Sequence, residues 1–416
     1  MRGLAPRFEC AGPAELIFVF AAASTTDHPP SFGALPIQTL RDFPRIFRGL
    51  EWNMSDKDGW NRMQPVLAQG AVQHQMSLNE TSHPPLPSVV RAVSETAAEA
   101  HRTLDALGFG LSGAIGEHLG VPPGDVAVGP GSGALLQLLF SGFTGPDTHT
   151  VHAWPSWEAY PMMAANAAST TVRVPLRDET HDLEAMAAAV TDRTRLVIVC
   201  NPNNPTGTAV GEAALRRFLD LLPSHVTVVL DEAYIDFADT DAAAVAHGLD
   251  LYREDERVCV VRTFSKSYGL LSLRVGYLVG HERTLAPLRG ALTFYRVSAA
   301  AQAAAVAALA ESAEIRRRCE ETARERERLY GVLTEQGWQV TPSQANFLWL
   351  PMASGVERFT QFCADHGVLV CGKPGEGVRV TIAEAAANDA FALLAAKARD
   401  ADGPTGGAAP AGEETP

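Results

Sequence analysis

The stretch Thr263-Phe-Ser-Lys-Ser-Tyr-Gly-Leu-Leu-Ser-Leu-Arg-Val-Gly276 places one lysine, Lys266, among hydroxyls, with Arg274 eight residues downstream. The run before it, Val258-Cys-Val-Val261, is short, apolar and β-branched. That pattern predicts a buried strand delivering Lys266 to a loop at the strand's carboxyl end. Open α/β sheets bind their ligands at that edge.

A lysine so placed becomes a nucleophile when burial and neighbouring cations lower its pKa from about 10.4. Thr263, Ser265 and Arg274 add two hydroxyls and a guanidinium fork, the donors a phosphate dianion requires. An amine beside such donors points to a cofactor with both an aldehyde and a phosphate, pyridoxal 5′-phosphate (PLP). Alone, the S-K-x-x-G pattern also fits a solvated lysine, so the rest of the chain must decide.

Working outward, strands at 126–128, 150–153, 170–174, 196–200 and 226–230 alternate with helices at 134–143, 157–165, 183–189 and 212–222. Such βαβ repetition predicts a mostly parallel, twisted α/β sheet covered by helices on both faces. Gly129-Pro-Gly-Ser-Gly133 is a tight turn into a helix. It suits either phosphate, through free N–H groups and the helix dipole, or a plain connection. Helices at 88–107 and 111–119 precede the sheet, and 299–310 and 315–336 follow it. Short strands at 345–350, 368–370 and 378–382, with a helix at 356–366, then predict a smaller α+β domain. The expected organisation is an unstructured extension over 1–76, an N-terminal segment over 77–107 packing with the small domain, a large domain over 108–310, a small domain over 311–398, and a disordered tail over 399–416.

A chain of 416 residues, 46% hydrophobic, is long enough for a large core and two domains. A net charge of -14 argues against nucleic acid or an anionic membrane as partner, so any phosphate must be held locally. Six cysteines scattered without C-x-x-C spacing fit reduced thiols in a cytoplasm, with no metal site. Leu16-Ile-Phe-Val-Phe-Ala-Ala-Ala23 has the length of a signal-peptide core, but Glu15 abuts it and no dense basic cluster precedes it. The first 70 residues read as an extension, or as sequence upstream of a later start at Met54 or Met76.

Asp231-Glu-Ala-Tyr234 follows the strand at 226–230. A carboxylate there either pairs with a pyridinium nitrogen, keeping the ring an electron sink, or caps a turn. Tyr234 can donate to the ring's phenolic oxygen. In Asn201-Pro-Asn-Asn-Pro-Thr-Gly207 two prolines and a glycine fix a turn in which Asn204 can present its amide to the same oxygen.

These motifs, in this order and with Arg274 and Gly276, resemble the fold-type I PLP aminotransferases, specifically the histidinol-phosphate aminotransferase subfamily. Within it, His152-Ala-Trp-Pro-Ser-Trp-Glu-Ala-Tyr160, Thr191-Asp-Arg-Thr194 and Gly377-Val-Arg-Val-Thr381 look most like the actinobacterial aromatic-amino-acid aminotransferases. The likeness covers residues 77–396. It implies that Lys266 binds the cofactor's aldehyde and then moves the α-proton. Asp231 would meet the pyridine nitrogen, and Asn204 and Tyr234 the phenolic oxygen. Trp157 would stack on the ring, and Gly131, Ser132, Thr263, Ser265 and Arg274 would hold the phosphate. Arg379 and Asn346 would bind substrate, Arg379 by clamping the α-carboxylate. A homodimer is implied, as is transfer of nitrogen from an amino acid, most plausibly aromatic, to a 2-oxo acid, 2-oxoglutarate being expected. A histidinol-phosphate enzyme, or a PLP-dependent decarboxylase or lyase, is the alternative. The chain departs from the family at His101-Arg-Thr-Leu-Asp105, where Thr103 replaces a tyrosine that reaches the neighbouring subunit's phosphate. It departs also at Pro155 and Arg296, which bear on substrate identity.

Overall fold

The computed structural model describes residues 72–102, 105–239, 245–292 and 294–402. The chain enters on β1 (His74–Gln75), followed by α1 (Pro87–Ala98), α2 (Phe109–Leu119), β2 (Val126–Gly129), α3 (Ser132–Phe143), β3 (His149–Trp154) and α4 (Ala159–Asn166). It continues through β4 (Thr170–Pro175), α5 (Leu183–Ala188), β5 (Thr194–Cys200), α6 (Glu212–Leu221), β6 (Thr227–Asp231), α7 (Gly248–Glu254), β7 (Val258–Thr263) and β8 (Gly276–Val279). Three helices follow, α8 (Glu282–Arg289), α9 (Ala299–Leu309) and α10 (Ser312–Glu335). The chain closes with β9 (Phe347–Pro351), α11 (Val356–Asp365), β10 (Val368–Leu369), β11 (Cys371–Lys373), β12 (Gly377–Thr381) and α12 (Ala385–Asp402).

Seven strands form the main sheet in the order β2-β8-β7-β6-β5-β3-β4. Only β8 runs against its neighbours. The central strands are apolar throughout because both faces are covered. Val197 and Val199 of β5 face a core shared with Leu215 and Phe218 of α6. Leu196 and Ile198 face the opposite core, with Leu135, Leu139 and Phe140 of α3. Each fully buried Val, Leu or Phe contributes about 1.5–3 kcal/mol, so a two-sided sheet of this size pins its own register.

That register fixes the working edge. Cys200 stands beside Asp231, and Asp231 beside Val261, so three loops leave the sheet side by side. On the far side of β7, β8 pairs Gly276 with both Thr263 and Gly129. A Cβ on Gly276 would lie 2.7 Å from the Ser132 nitrogen and 2.9 Å from the Arg262 carbonyl oxygen, so only glycine lets β8 pass beneath the turn into α3.

The second sheet is antiparallel, β11-β12-β9, and packs with α10, α11 and α12 around Leu348, Leu350, Val378, Val380 and Phe391. Order begins earlier than the sequence suggests. Residues 74–75 pair in parallel with β10, and Met76 is buried in this second core. The run at 368–370, expected as a short strand of the small domain, is a strand at Val368–Leu369 in that separate ladder, and Cys371–Lys373, which the sequence did not suggest, pairs with β12. The expected packing of 77–107 with the small domain is only partly correct. The Ser77–Glu80 stretch does meet β12, but α1 ends at Ala98, and its Val89, with Leu86 just before the helix, is buried in the main core. The last helix runs three residues beyond the expected start of the tail, to Asp402. Thr103 and residues 1–71 and 403–416 lie outside the described residues.

Gly276→Ala should cost about 1–3 kcal/mol through overpacking against backbone. Thermal unfolding measures it directly. An unchanged midpoint would mean that the turn into α3 can retreat from β8.

Candidate active site

Asp231 ends β6 and is buried, because the last residue of a doubly covered strand is still inside the sheet. Its Oδ2 accepts from the Tyr160 hydroxyl at 2.7 Å, and its Oδ1 from the Ala233 N–H at 3.3 Å. Burial pushes its pKa up to about 6, with the Tyr160 hydrogen bond opposing, so the carboxylate is charged at neutral pH. Tyr160 comes from α4 and is itself boxed by Trp157 (ring centroids 5.5 Å apart, edge to face) and His152 (5.6 Å).

Lys266 lies three residues beyond β7. Its Nζ donates to the Leu78 and Asn79 carbonyls, each at 3.1 Å. Burial, and then the Arg379 charge, lower its pKa to about 7, with Glu80 opposing and Arg274 reinforcing. A substantial share of the amine is therefore neutral and nucleophilic near pH 7. The adjacent Ser267 hydroxyl donates to Asp236, which ties the lysine loop to the segment carrying Asp231 and Tyr234. Beneath both, Arg262 and Glu232 form a buried pair at 2.8 Å, and Glu232 also accepts the Gly248 N–H at 2.6 Å.

The donors expected to grip phosphate converge. Thr263 Oγ1 accepts from the Ser265 N–H at 3.0 Å, and Arg274 Nη1 reaches Ser265 Oγ at 3.4 Å and the Leu271 carbonyl at 2.9 Å. Gly131, at φ 86°, has the Arg274 guanidinium where a Cβ would be, 2.5 Å away. The helix starts at Ser132, two residues earlier than the sequence suggests, which brings its N-terminal amides to the cradle.

Arg379 on β12 is buried. Its Nη1 donates to Asn204 Oδ1 at 2.5 Å and its Nη2 to the Ser77 carbonyl at 2.7 Å, while Nε has no partner among the described residues. The guanidinium lies 5.5 Å from the Phe347 ring centroid. Asn204 thus spends its oxygen on Arg379, a bond the sequence did not suggest. Asn346, also buried, donates to the Asn79 and Glu80 carbonyls at 3.3 and 3.4 Å and leaves its Oδ1 unpartnered. Trp157 is half-buried, beside the N-terminus of α3. Arg296 turns to backbone, with Nε to the Val128 carbonyl at 2.6 Å and Nη2 to that of Leu107 at 3.0 Å.

Three residues escaped sequence reading, namely Asn79, Tyr160 and Thr381. Tyr160 and Thr381 end quoted motifs, and Asn79 stands where order was expected to begin. Their polar partners lie up to 302 residues away, out of reach of any local pattern.

A lysine with a lowered pKa, a buried carboxylate and a glycine-lined cradle closed by an arginine, at the carboxyl edge of a parallel sheet, together fit PLP and define a PLP-dependent enzyme of fold type I. The chain belongs to the class I and II aminotransferases, whose family model matches residues 73–393. It is 47% identical over 320 residues to an aromatic amino acid aminotransferase of Thermobifida fusca, covering 77% of this chain and 89% of that one. With the enzyme of the same name from Streptomyces avermitilis it shares 45% over 349 residues, covering 84% and 96%. The fold matches the crystal structure of histidinol-phosphate aminotransferase from Sinorhizobium meliloti with bound PLP. The TM-score is 0.75 at 26% identity, covering 81% of this chain and 93% of that one.

Because the Lys266 amine loses its proton near pH 7, uptake of PLP by the apoprotein should rise through that pH and level off by pH 9. An ordinary lysine, with a pKa of about 10.4, would still be accelerating there. Stopped-flow absorbance checks this, and a rate that keeps climbing to pH 10 would remove burial as the activating force.

Proposed function

We propose that this aminotransferase moves the amino group of an aromatic L-amino acid to 2-oxoglutarate. When bound, PLP supplies an aldehyde to the lysine and a ring that takes up the electron pair left at the substrate's α-carbon. Lys266 would hold the cofactor through Nζ, and its amine, neutral in part near pH 7, would serve as the base that takes the proton from the α-carbon. Asp231, charged at neutral pH, keeps a proton on the pyridine nitrogen, and Tyr160 keeps Asp231 aimed and charged. Tyr234 and the Asn204 amide would donate to the phenolic oxygen. Thr263, Ser265, Arg274, Gly131 and Ser132 hold the phosphate. Trp157 covers one ring face. Arg379 meets the substrate carboxylate with the donor left unpartnered here, and Asn346 lies beside it.

The observation that carries the reaction is the meeting of Lys266, Asp231 and Arg379, three buried or half-buried titratable groups supplied by the loop after β7, the end of β6 and β12. Aromatic specificity draws on the curated relatives' names and on the rings around that point, Trp157, Tyr160, Phe347 and Trp349. Arg296, the cation that would favour a phosphorylated substrate, spends its Nε and Nη2 on backbone carbonyls. The expected working unit is a homodimer, supported by exposed Phe109, Phe294 and Tyr295, which the Tyr295 N–H to Ala106 carbonyl bond gathers at the start of α2. The second sheet would act as a small domain from about residue 311. A cytoplasmic setting agrees with the five described cysteines, all free thiols.

A panel of amino donors against 2-oxoglutarate, with oxo-acid product measured, tests the substrate. Phenylalanine, tyrosine or tryptophan should outperform histidinol phosphate. Efficient turnover of histidinol phosphate with negligible activity on all three aromatics would overturn the assignment, and amine plus CO2 as products would replace transamination by decarboxylation. In the same assay Arg379→Gln should raise KM for the amino donor by about ten-fold or more, since a charge-assisted bond contributes about 1.5–3 kcal/mol. An unchanged KM would remove the carboxylate clamp.

A further inference from the structure

Asn79 is buried at 1% exposure and holds φ at 53°, in the left-handed region that asparagine and glycine tolerate best. Both faces of the residue are in use. Its N–H donates to Thr381 Oγ1 at 2.9 Å, and that hydroxyl returns its own proton to Asn79 Oδ1 at 3.0 Å. The closed pair fixes which end of the amide faces Thr381. The other end, Nδ2, then donates to the Tyr234 hydroxyl oxygen at 2.9 Å.

A phenol has one proton to give, and the direction of that proton depends on what its oxygen accepts. Because Asn79 occupies the oxygen as a donor, the Tyr234 proton cannot point back at Asn79. Among the described residues no protein group accepts it. The Tyr234 ring is held from the side by Phe347, edge to face at 5.0 Å. Burial raises the Tyr234 pKa, opposed first by the Arg379 charge and then by the Asn79 hydrogen bond, so the phenol keeps its proton at neutral pH. The left-handed turn at Asn79 has a second effect, since its carbonyl accepts from both Lys266 and Asn346.

We propose that Asn79 is a positioning residue which, anchored by Thr381, aims the Tyr234 proton at the phenolic oxygen of the cofactor. This rests on the reading above, in which Tyr234 faces that oxygen. The requirement is double, a side chain that accepts the left-handed backbone and that donates to a phenol. Asparagine meets both, glycine meets the first, and aspartate meets the first while inverting the second.

That inversion is the test. In Asn79→Asp the carboxylate keeps the Thr381 bond and the backbone turn but can only accept, so Tyr234 must turn its proton away from the cofactor. The visible absorbance of the holoenzyme titrates with pH, and a donor to the phenolic oxygen holds that titration low. It should move up by about one unit in Asn79→Asp, and kcat should fall about ten-fold with KM for the amino donor little changed. Asn79→Gly and Thr381→Val, which add no charge, should move the titration in the same direction by less. Combined with Tyr234→Phe, Asn79→Asp should have no further effect on either readout, because the proton it redirects is gone.

Full additivity with Tyr234→Phe, or a titration that stays in place in all three variants while only the melting temperature falls, would make Asn79 structural and overturn the proposal. If Asn79→Asp does not fold, Asn79→Gly and Thr381→Val carry the same comparison. Wild-type protein that takes up no PLP would defeat the underlying reading, and this inference with it. Wild type that takes it up and variants that leave the titration unmoved would defeat this inference alone.

Discussion

The parallel register of β5, β6 and β7 is the constraint on which everything else depends. It sets Cys200, Asp231 and Val261 abreast on three adjacent strands, so the loops that follow those strands leave the sheet side by side. A slip of one residue would turn Asp231 to the wrong side and expose the valines that hold the sheet. Chemistry and stability are thereby specified by the same apolar side chains. The Arg262–Glu232 pair and the Ser267–Asp236 bond brace the loops at that edge.

Burial then does the electrostatic tuning, in opposite directions for opposite charges. Asp231 rises to about 6 and Lys266 falls to about 7, each because the charged form is disfavoured away from water. Tyr160 and Arg379 adjust these values without reversing them. Near neutral pH Asp231 is largely charged while a substantial fraction of Lys266 is neutral, the combination that the proposed roles of the two residues require.

Much of this was legible in the sequence, and the part that was not has a physical reason. Strands with two buried faces announce themselves as unbroken runs such as Val258-Cys-Val-Val261, and the loops at 201–207 and 231–234 carry their turn chemistry locally. Lys266, Asp231 and Arg274 could be named because each closes or follows such a run. What could not be read locally was how the short strands pair. Residues 368–370 have the composition of a sheet strand, but their partner is a two-residue strand at 74–75, nearly 300 positions away, which has no apolar pattern at all. The expectation of disorder up to residue 76 failed for the same reason, since Met76 is fixed by tertiary burial and not by local period. Asn204 illustrates the limit for a site residue. Its motif marks it as a turn residue at a strand end, yet only the fold reveals that its oxygen faces Arg379.

The contacts of Ser77 with Arg379 and of Asn79 with Thr381 each span 302 residues. Translation runs from one end of that span to the other, so Asn79 leaves the ribosome long before the strand that anchors it exists. The main sheet can be complete while Lys266 still lacks the two carbonyls it meets in the finished molecule. Assembly of the catalytic centre is therefore a closing event in the life of the chain, gated by the arrival of β12, and a nascent chain released short of it would be folded in its core but without a finished site.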